Sequence, residues 1–254
     1  MTGAAPPSVL QRPDGSALAY HALAGRGPTV VWLGGFHSDM AGSKALALQE
    51  WAQACGRAYV RFDYFGHGRS GGAFEDGTIG RWRADALAVI DQVTDGPLVL
   101  VGSSMGGWLA CLAALARPGR IAGLALVAPA ADFTDKLMEP GFSQAARMAL
   151  KRDGRWTRPS DYDDGGYVIT QHLLDEGRNW SILPGPVAIT APVRILQGGA
   201  DPDVPWRHAL ALAEALMGED VVFTLVKDGD HRLSRPQDLE RLIAAIEDLA
   251  AADA

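Results

Sequence analysis

Residues 99–115, VLVGSSMGGWLACLAAL, change character half-way along. Three apolar residues typical of a buried strand, Val99 to Val101, lead into a group of small residues, and an almost wholly apolar helical segment follows. A strand that turns directly into a helix is the repeating unit of a parallel sheet. Two serines, Ser103 and Ser104, stand at the turn. The stretch therefore predicts an α/β fold and presents two candidate nucleophiles.

The segments on either side of this stretch also alternate between strand and helix patterns. Buried strands are predicted at 28–36, 56–64, 97–102, 121–130, 192–200 and 221–229, and helices at 43–55, 78–94, 105–116 and after Pro205 and Ser234. Such units place strands parallel, with helices on both faces of the sheet. Asp14-Gly15 predicts a hairpin in front of the sheet. The spacing of Ser234 and Gln237 predicts a capping box on the last helix.

The alternation breaks between residues 131 and 188, where the chain is polar, rich in Gly and Pro, and without a strand of buried character. We therefore expect one core domain, residues 1–130 and 189–254, interrupted by a small helical cap at 131–188. Insertions at the carboxyl ends of parallel strands lie where ligands bind. The insertion contains six large apolar residues that could roof a cavity: Phe133, Leu137, Met138, Phe142, Met148 and Leu150. Its basic residues form either a solvated face or a site for an anionic group: Lys151, Arg152, Arg155 and Arg158.

The overall composition is that of a globular protein with a large core. The 254 residues are 48% hydrophobic and carry a net charge of −7, which argues against nucleic acid or an anionic membrane surface as a partner. No apolar run approaches the roughly 18 residues that span a bilayer, and MTGAAPPSVLQRPDG at the start has no signal-peptide pattern. Cys55 and Cys111 are expected to be buried, reduced thiols, which favours a cytoplasmic location. The sequence predicts no particular oligomeric state.

The pentapeptide GSSMG (102–106) fits the pattern G-x-S-x-G with Ser104 at its centre. This pattern holds a serine on a strained strand-to-helix turn, where only small residues two positions away avoid collision. Ser103 fails the test, because its neighbours two positions away are Val101 and Met105. Chance alone yields about 0.15 such matches in this composition, so the strand before and the helix after carry the prediction. The Met105 N–H, free at the helix start, is a candidate oxyanion donor.

A serine nucleophile needs a general base, and the base needs a carboxylate that orients it. Beyond the insertion, QGGADPDVPW (197–206) offers Asp201 and Asp203 after one predicted strand, and His231 follows the next. Parallel strands bring Ser104, an acid and His231 to the same edge of the sheet. Other histidines fit the role of base less well: His21, His67, His172 and His208. His37, after LGGF (33–36), is a candidate for substrate contact.

Several motifs resemble those of the α/β-hydrolase superfamily and, within it, the family of mitochondrial palmitoyl-protein thioesterases that also act as mycophenolic acid acyl-glucuronide esterases. They are SKALALQEWA, RFDYFGHGRS, LVGSSMGGWL, GRWTRPSDY, DPDVPW and DHRLS, and the likeness covers most of residues 30–249. The resemblance implies the α/β-hydrolase fold and ester or thioester hydrolysis. It implies Ser104 as nucleophile, Asp201 as acid and His231 as base. It also implies Phe36 as the second oxyanion donor, from the loop that Gly34 and Gly35 allow to turn.

The expected substrate is a small molecule or an acylated protein, and no cofactor or metal is inferred. The loop FGHGRSGG (65–72) lacks the lysine of a phosphate-binding loop and the glycine spacing of a dinucleotide site, so we interpret it as a turn near the pocket. Three alternatives share the same residues: a generic carboxylesterase, a hydrolase of carbon–carbon bonds, and a receptor that binds without turnover. The Ser-Asp-His set does not distinguish ester from carbon–carbon cleavage.

Overall fold

The computed structural model describes residues 6–158, 166–183 and 185–251. The strands in these ranges are β1 (Ser8–Gln11), β2 (Ala17–Leu23), β3 (Arg26–Leu33), β4 (Arg57–Phe62), β5 (Leu98–Ser103), β6 (Ile121–Val127), β7 (Arg155–Arg158), β8 (Tyr167–Thr170), β9 (Val193–Gly198) and β10 (Val221–Val226). One sheet has the order β1-β2-β4-β3-β5-β6-β9-β10. Its strands from β4 to β10 are parallel, whereas β1 and β2 pair antiparallel. The predicted, mostly parallel α/β sheet is confirmed.

Helices cover both faces of this sheet. These helices are α1 (Ser43–Cys55), α2 (Ile79–Val93), α3 (Met105–Ala116), α6 (Trp206–Ala215) and α7 (Pro236–Ala251). Two further helices, α4 (Gln144–Asp153) and α5 (Gln171–Gly177), belong to the insertion between β6 and β9. Side chains alternate between faces along a strand, so Val31 and Leu33 of β3 enter one core cluster with α2 and α3. Val30 and Trp32 enter the other, with α1 and α7. Burial on both faces explains why the strands are continuous apolar runs.

The hairpin predicted at Asp14-Gly15 joins β1 to β2. Asp14 Oδ1 accepts hydrogen bonds from Ser16 N at 3.0 Å and Ser16 Oγ at 2.7 Å, and Gly15 has a φ of +84°. A left-handed φ favours glycine, which lacks the Cβ that would be strained there. The local sequence therefore explains this turn.

Two local expectations are wrong. The last helix begins at Pro236, so Ser234 lies one residue too early to cap it, and its hydroxyl donates to Arg232 O at 3.1 Å instead. Proline at the first helical position needs no N–H partner and starts the helix without the capping box. Cys111 is buried as expected, but Cys55 at the end of α1 is only half-buried.

Between β6 and β9 the chain forms a π-helical turn (Thr134–Met138), α4, the β7–β8 ribbon and α5. The sequence did not predict the ribbon, because Ile169 is its only fully buried residue and pairing between the strands, not burial, defines it. Residues 159–165 and residue 184 of the predicted cap, and with them part of GRWTRPSDY, lie outside the described ranges. Within the described ranges, no helix has both the length and the apolar character that crossing a bilayer requires.

Candidate active site

Ser104 stands on a strained turn between β5 and α3. Its φ of 54° and ψ of −117° are rare for a residue with a side chain. The two flanking glycines leave no room for a Cβ: at Gly102 it would lie 2.3 Å from Gly106 O, and at Gly106 2.0 Å from Leu33 O. The structure thus supplies the steric reason for the glycine spacing. Ser103, in contrast, is a buried residue of β5.

A chain of hydrogen bonds connects Ser104 to two side chains that are remote in the sequence. His231 Nε2 lies 3.2 Å from Ser104 Oγ, and His231 Nδ1 lies 2.8 Å from Asp201 Oδ2. Asp201 follows β9 and His231 follows β10, so both lie at the carboxyl edge of the sheet, where Ser104 follows β5. A hydroxyl, an imidazole and a carboxylate in this order can activate the hydroxyl as a nucleophile.

The Asp201 carboxylate is fully buried. Burial by itself raises its pKa, but the hydrogen bond and charge of His231, with the backbone N–H groups of Val204 and Asp203, outweigh burial and leave the pKa below its ordinary value. These N–H groups bond Asp201 Oδ1 at 2.9 and 2.8 Å, and Gln197 Nε2 donates to Oδ2 at 3.1 Å. The carboxylate is therefore ionised and held in one orientation.

Asp203 is a near neighbour, because one of its carboxylate oxygens lies within 4.8 Å of an Asp201 oxygen and of a His231 ring nitrogen. Exposure and hydrogen-bond partners distinguish the rival residues from Asp201 and His231. The Asp203 side chain is exposed, and its backbone N–H bonds Asp201. Asp230 is exposed and accepts a hydrogen bond from Leu233 N at 2.9 Å. His208 Nε2 bonds Ala131 O at 2.7 Å, away from Asp201. Asp201 is thus the acid whose carboxylate oxygen accepts a hydrogen bond from the His231 ring.

The loop after β3 passes beside Ser104. A Cβ on Gly35 would lie 3.5 Å from Ser104 Cβ, so the Phe36 peptide unit borders the nucleophile. Met105 is the first residue of α3, and the N–H groups of a first helical turn have no partner within the helix. Both predicted oxyanion donors therefore belong to backbone segments next to the serine.

Ser104 opens into a cavity of about 760 Å³. Three of the six apolar residues predicted to roof it do line it, namely Phe133, Leu137 and Met138. Met148 is instead 62% exposed, while Phe142 and Leu150 are buried within the insertion. His37, the candidate for substrate contact, lines the cavity as well.

The basic residues of the insertion do not act as one group. Arg152 pairs with Asp153 at 2.7 Å, and Arg155 pairs with Glu75 at 3.0 Å. Arg158 lines the cavity. Two of the four, Arg152 and Arg155, are therefore exposed and ion-paired, whereas Arg158 lies at the cavity, where an anionic group could approach it.

Residues 27–172 match the family described as Hydrolase_4, serine aminopeptidase, S33. The chain belongs to this hydrolase family. The hydrolase is 39% identical over 247 residues to human "Palmitoyl-protein thioesterase ABHD10, mitochondrial". The matched region covers 95% of this chain and 79% of the relative.

Two solved structures superpose closely on this hydrolase. A putative hydrolase from Agrobacterium vitis has a TM-score of 0.90 at 45% identity, covering 95% of this chain and 96% of the other. Mouse alpha/beta hydrolase domain-containing protein 10 has a TM-score of 0.89 at 38% identity, covering 96% and 98%. The expected α/β-hydrolase fold is confirmed, and the protein is an enzyme of the hydrolase class.

Lys44 lines the cavity of this hydrolase, although it was not predicted from the sequence. Its ammonium donates to Arg232 O and, at 3.3 Å, to Ser234 Oγ, so it connects α1 to the loop that carries His231. Burial lowers the pKa of Lys44 to about 8. A cation in the first turn of a helix opposes the helix dipole, and that conflict was the one signal in the sequence.

Proposed function

We propose that the protein hydrolyses acyl esters or thioesters through an acyl-enzyme on Ser104. The observation that carries this proposal is the hydrogen-bonded chain from Ser104 through His231 to Asp201 at a strained turn. His231 Nε2 takes the hydroxyl proton as Ser104 Oγ attacks the acyl carbon, and it returns the proton to the leaving group. Water then attacks the acyl-enzyme with His231 again as base. The ionised Asp201 stabilises the imidazolium that forms in each half-reaction.

The N–H groups of Phe36 and Met105 are the proposed donors to the oxyanion. Each tetrahedral intermediate places negative charge on the former carbonyl oxygen. Loss of one preorganised donor typically lowers the rate by about 10² to 10³. No step requires a cofactor, because every group that moves a proton or stabilises charge belongs to the chain itself.

The proposed substrates are small molecules or acylated proteins with medium or long acyl groups. Residues 131–188 act as a cap in this proposal, and the Phe133, Leu137 and Met138 side chains enclose the acyl group. Each buried methylene contributes about 0.8 kcal/mol, which raises kcat/KM when the transition state is enclosed as well. The name of the human relative, a palmitoyl-protein thioesterase, supports the same acyl class.

The proposed location is the cytoplasm, as the cysteine usage indicates. The name of the human relative places that protein in mitochondria, so the compartment of this chain stays a prediction. Localisation of the tagged full chain in its own cells checks it.

Labelling with a fluorophosphonate tests the nucleophile. Ser104→Ala is expected to abolish both labelling and the turnover of p-nitrophenyl esters, because it removes the hydroxyl that bonds His231 Nε2. Ser103→Ala is the matched control and keeps labelling, since Ser103 is buried in β5. Labelling that survives Ser104→Ala would overturn the proposed function.

A further inference from the structure

The peptide unit before Phe36 has a fixed direction. Gly35 O accepts hydrogen bonds from Ser38 N at 3.2 Å and from Ser38 Oγ at 2.8 Å. In a trans peptide the N–H points opposite to the carbonyl. The bonds from Ser38 to the Gly35 carbonyl therefore turn the Phe36 N–H away from Ser38.

The peptide unit after Phe36 is held from a different part of the chain. His37 N donates to His67 Nε2 at 3.3 Å, and His67 lies in the glycine-rich loop that follows β4. His37 has a φ of +59°, a left-handed conformation that surrounding contacts must maintain. The bond to His67 is such a contact, thirty residues away in the sequence.

The tautomer of His67 follows from its two partners. Phe65 O can only accept and lies 3.1 Å from Nδ1, whereas the His37 N–H can only donate and meets Nε2. Nδ1 therefore carries the proton and Nε2 is the acceptor. Burial lowers the pKa of His67 to about 4, a shift that the bond to Phe65 O partly opposes, so the ring is neutral near pH 7. The ring packs against Phe74 and Trp82, at centroid distances of 5.1 and 5.2 Å.

Both ring nitrogens are thus occupied by backbone partners, which leaves His67 no role in proton transfer. We propose that His67 is a positioning residue that orients the Phe36 N–H toward the oxyanion. This inference rests on the proposed function, since it concerns the proposed oxyanion donor. Ser38 holds one side of Phe36 and His67 holds the other, so loss of either bond frees one of the two flanking peptide units to rotate.

Two variants and one control test the proposal on the full chain. His67→Leu removes the acceptor at Nε2, while His67→Gln keeps an acceptor at that position. Leu18→Ala, a fully buried core residue of β2, controls for a general loss of stability. Active enzyme is counted by fluorophosphonate titration, and kcat, KM and the affinity for an alkyl boronic acid are measured per titrated site. The boronic acid forms a tetrahedral adduct whose oxygen occupies the oxyanion position.

We expect His67→Leu to lower kcat by about ten- to a hundredfold, less than the loss of a whole donor. Boronate affinity falls by a similar factor while KM stays within about twofold. His67→Gln recovers most of the loss, and Leu18→Ala keeps kcat per titrated site.

If the parent is active and His67→Leu has the same kcat and boronate affinity as the parent, the positioning role is overturned and the proposed function stands. An equal loss of kcat in Leu18→Ala would also overturn the positioning role, because it would trace the effect to stability. If fluorophosphonate labelling of the parent does not depend on Ser104, the proposed function is overturned, and the positioning role with it.

Discussion

Asp201 and Asp203 stand two residues apart, yet the His231 ring bonds the carboxylate of Asp201. Asp201→Asn is expected to lower kcat by about 10³ to 10⁴, because the amide no longer fixes the imidazole tautomer or stabilises its positive charge. Asp203→Asn is the matched variant, with the same chemical change on an exposed side chain. We expect it to keep kcat within a few-fold. Steady-state kinetics on a p-nitrophenyl ester measures both.

Both aspartate variants need proof of an intact fold, which their urea unfolding curves supply. Asp201 Oδ1 accepts two backbone N–H groups, and Asn can keep this oxygen as an acceptor. An Asp203→Asn variant as impaired as Asp201→Asn would show that the acid is wrongly assigned.

At the scale of elements, the insertion between β6 and β9 is the proposed cap, and we expect it to determine the preferred acyl length. Leu137 lines the cavity from the π-helical turn, so Leu137→Trp is expected to fill space and shorten the preferred acyl chain. Each methylene that the Trp ring displaces from the cavity costs about 0.8 kcal/mol of transition-state stabilisation, which lowers kcat/KM for long acyl chains. A series of p-nitrophenyl esters from two to ten carbons measures kcat/KM, and fluorophosphonate labelling checks that the nucleophile still reacts.

Met148 supplies the control for this substitution. It lies on α4 with 62% of its surface exposed, so Met148→Trp adds the same bulky ring outside the cavity and leaves the chain-length profile unchanged. The sequence alone led us to expect both residues to shape the cavity. A flat profile in the parent from two to ten carbons would contradict the long-acyl proposal and leave a generic carboxylesterase.

At the scale of the whole molecule, Asp85 couples stability to pH. It is fully buried on α2, accepts from Phe65 N at 2.9 Å, and lies 3.4 Å from Arg12 Nε. Burial raises its pKa from 3.8 to about 6, against the opposing effects of the Phe65 N–H, Arg81 and Arg12. A folded-state pKa above the unfolded value means that protonation favours folding, and this contribution is lost as pH rises from about 4 through 6.

We therefore expect the parent to lose about 1 kcal/mol of unfolding free energy relative to Asp85→Asn between pH 5 and pH 7.5. Urea unfolding of both proteins at the two pH values measures this difference. A difference that stays constant, or that moves in favour of the parent as pH rises, would contradict a raised Asp85 pKa.

Much of the fold and of the candidate site follows from local sequence. Buried parallel strands are continuous apolar runs, and helices show apolar residues three or four positions apart. These patterns predict β3 to β6, α1 to α3, β9 and β10. The G-x-S-x-G spacing identifies Ser104, since the collisions at Gly102 and Gly106 involve atoms close by in the chain or in the adjacent strand. Strand order then brings His231 and Asp201 to the same edge.

What the tertiary structure alone decided depends on contacts between remote segments. The β7–β8 ribbon is defined by pairing between its strands, and its mostly unburied residues form no apolar pattern that would predict it. The exposure of Met148 depends on how α4 packs. Lys44 was not predicted, and His67 was considered only as a poor candidate for the base, because their partners are backbone atoms of distant loops, Arg232 O and His37 N. A backbone atom has the same chemistry at every residue, so sequence can reveal which side chain offers a hydrogen bond but only the folded chain determines which loop receives it.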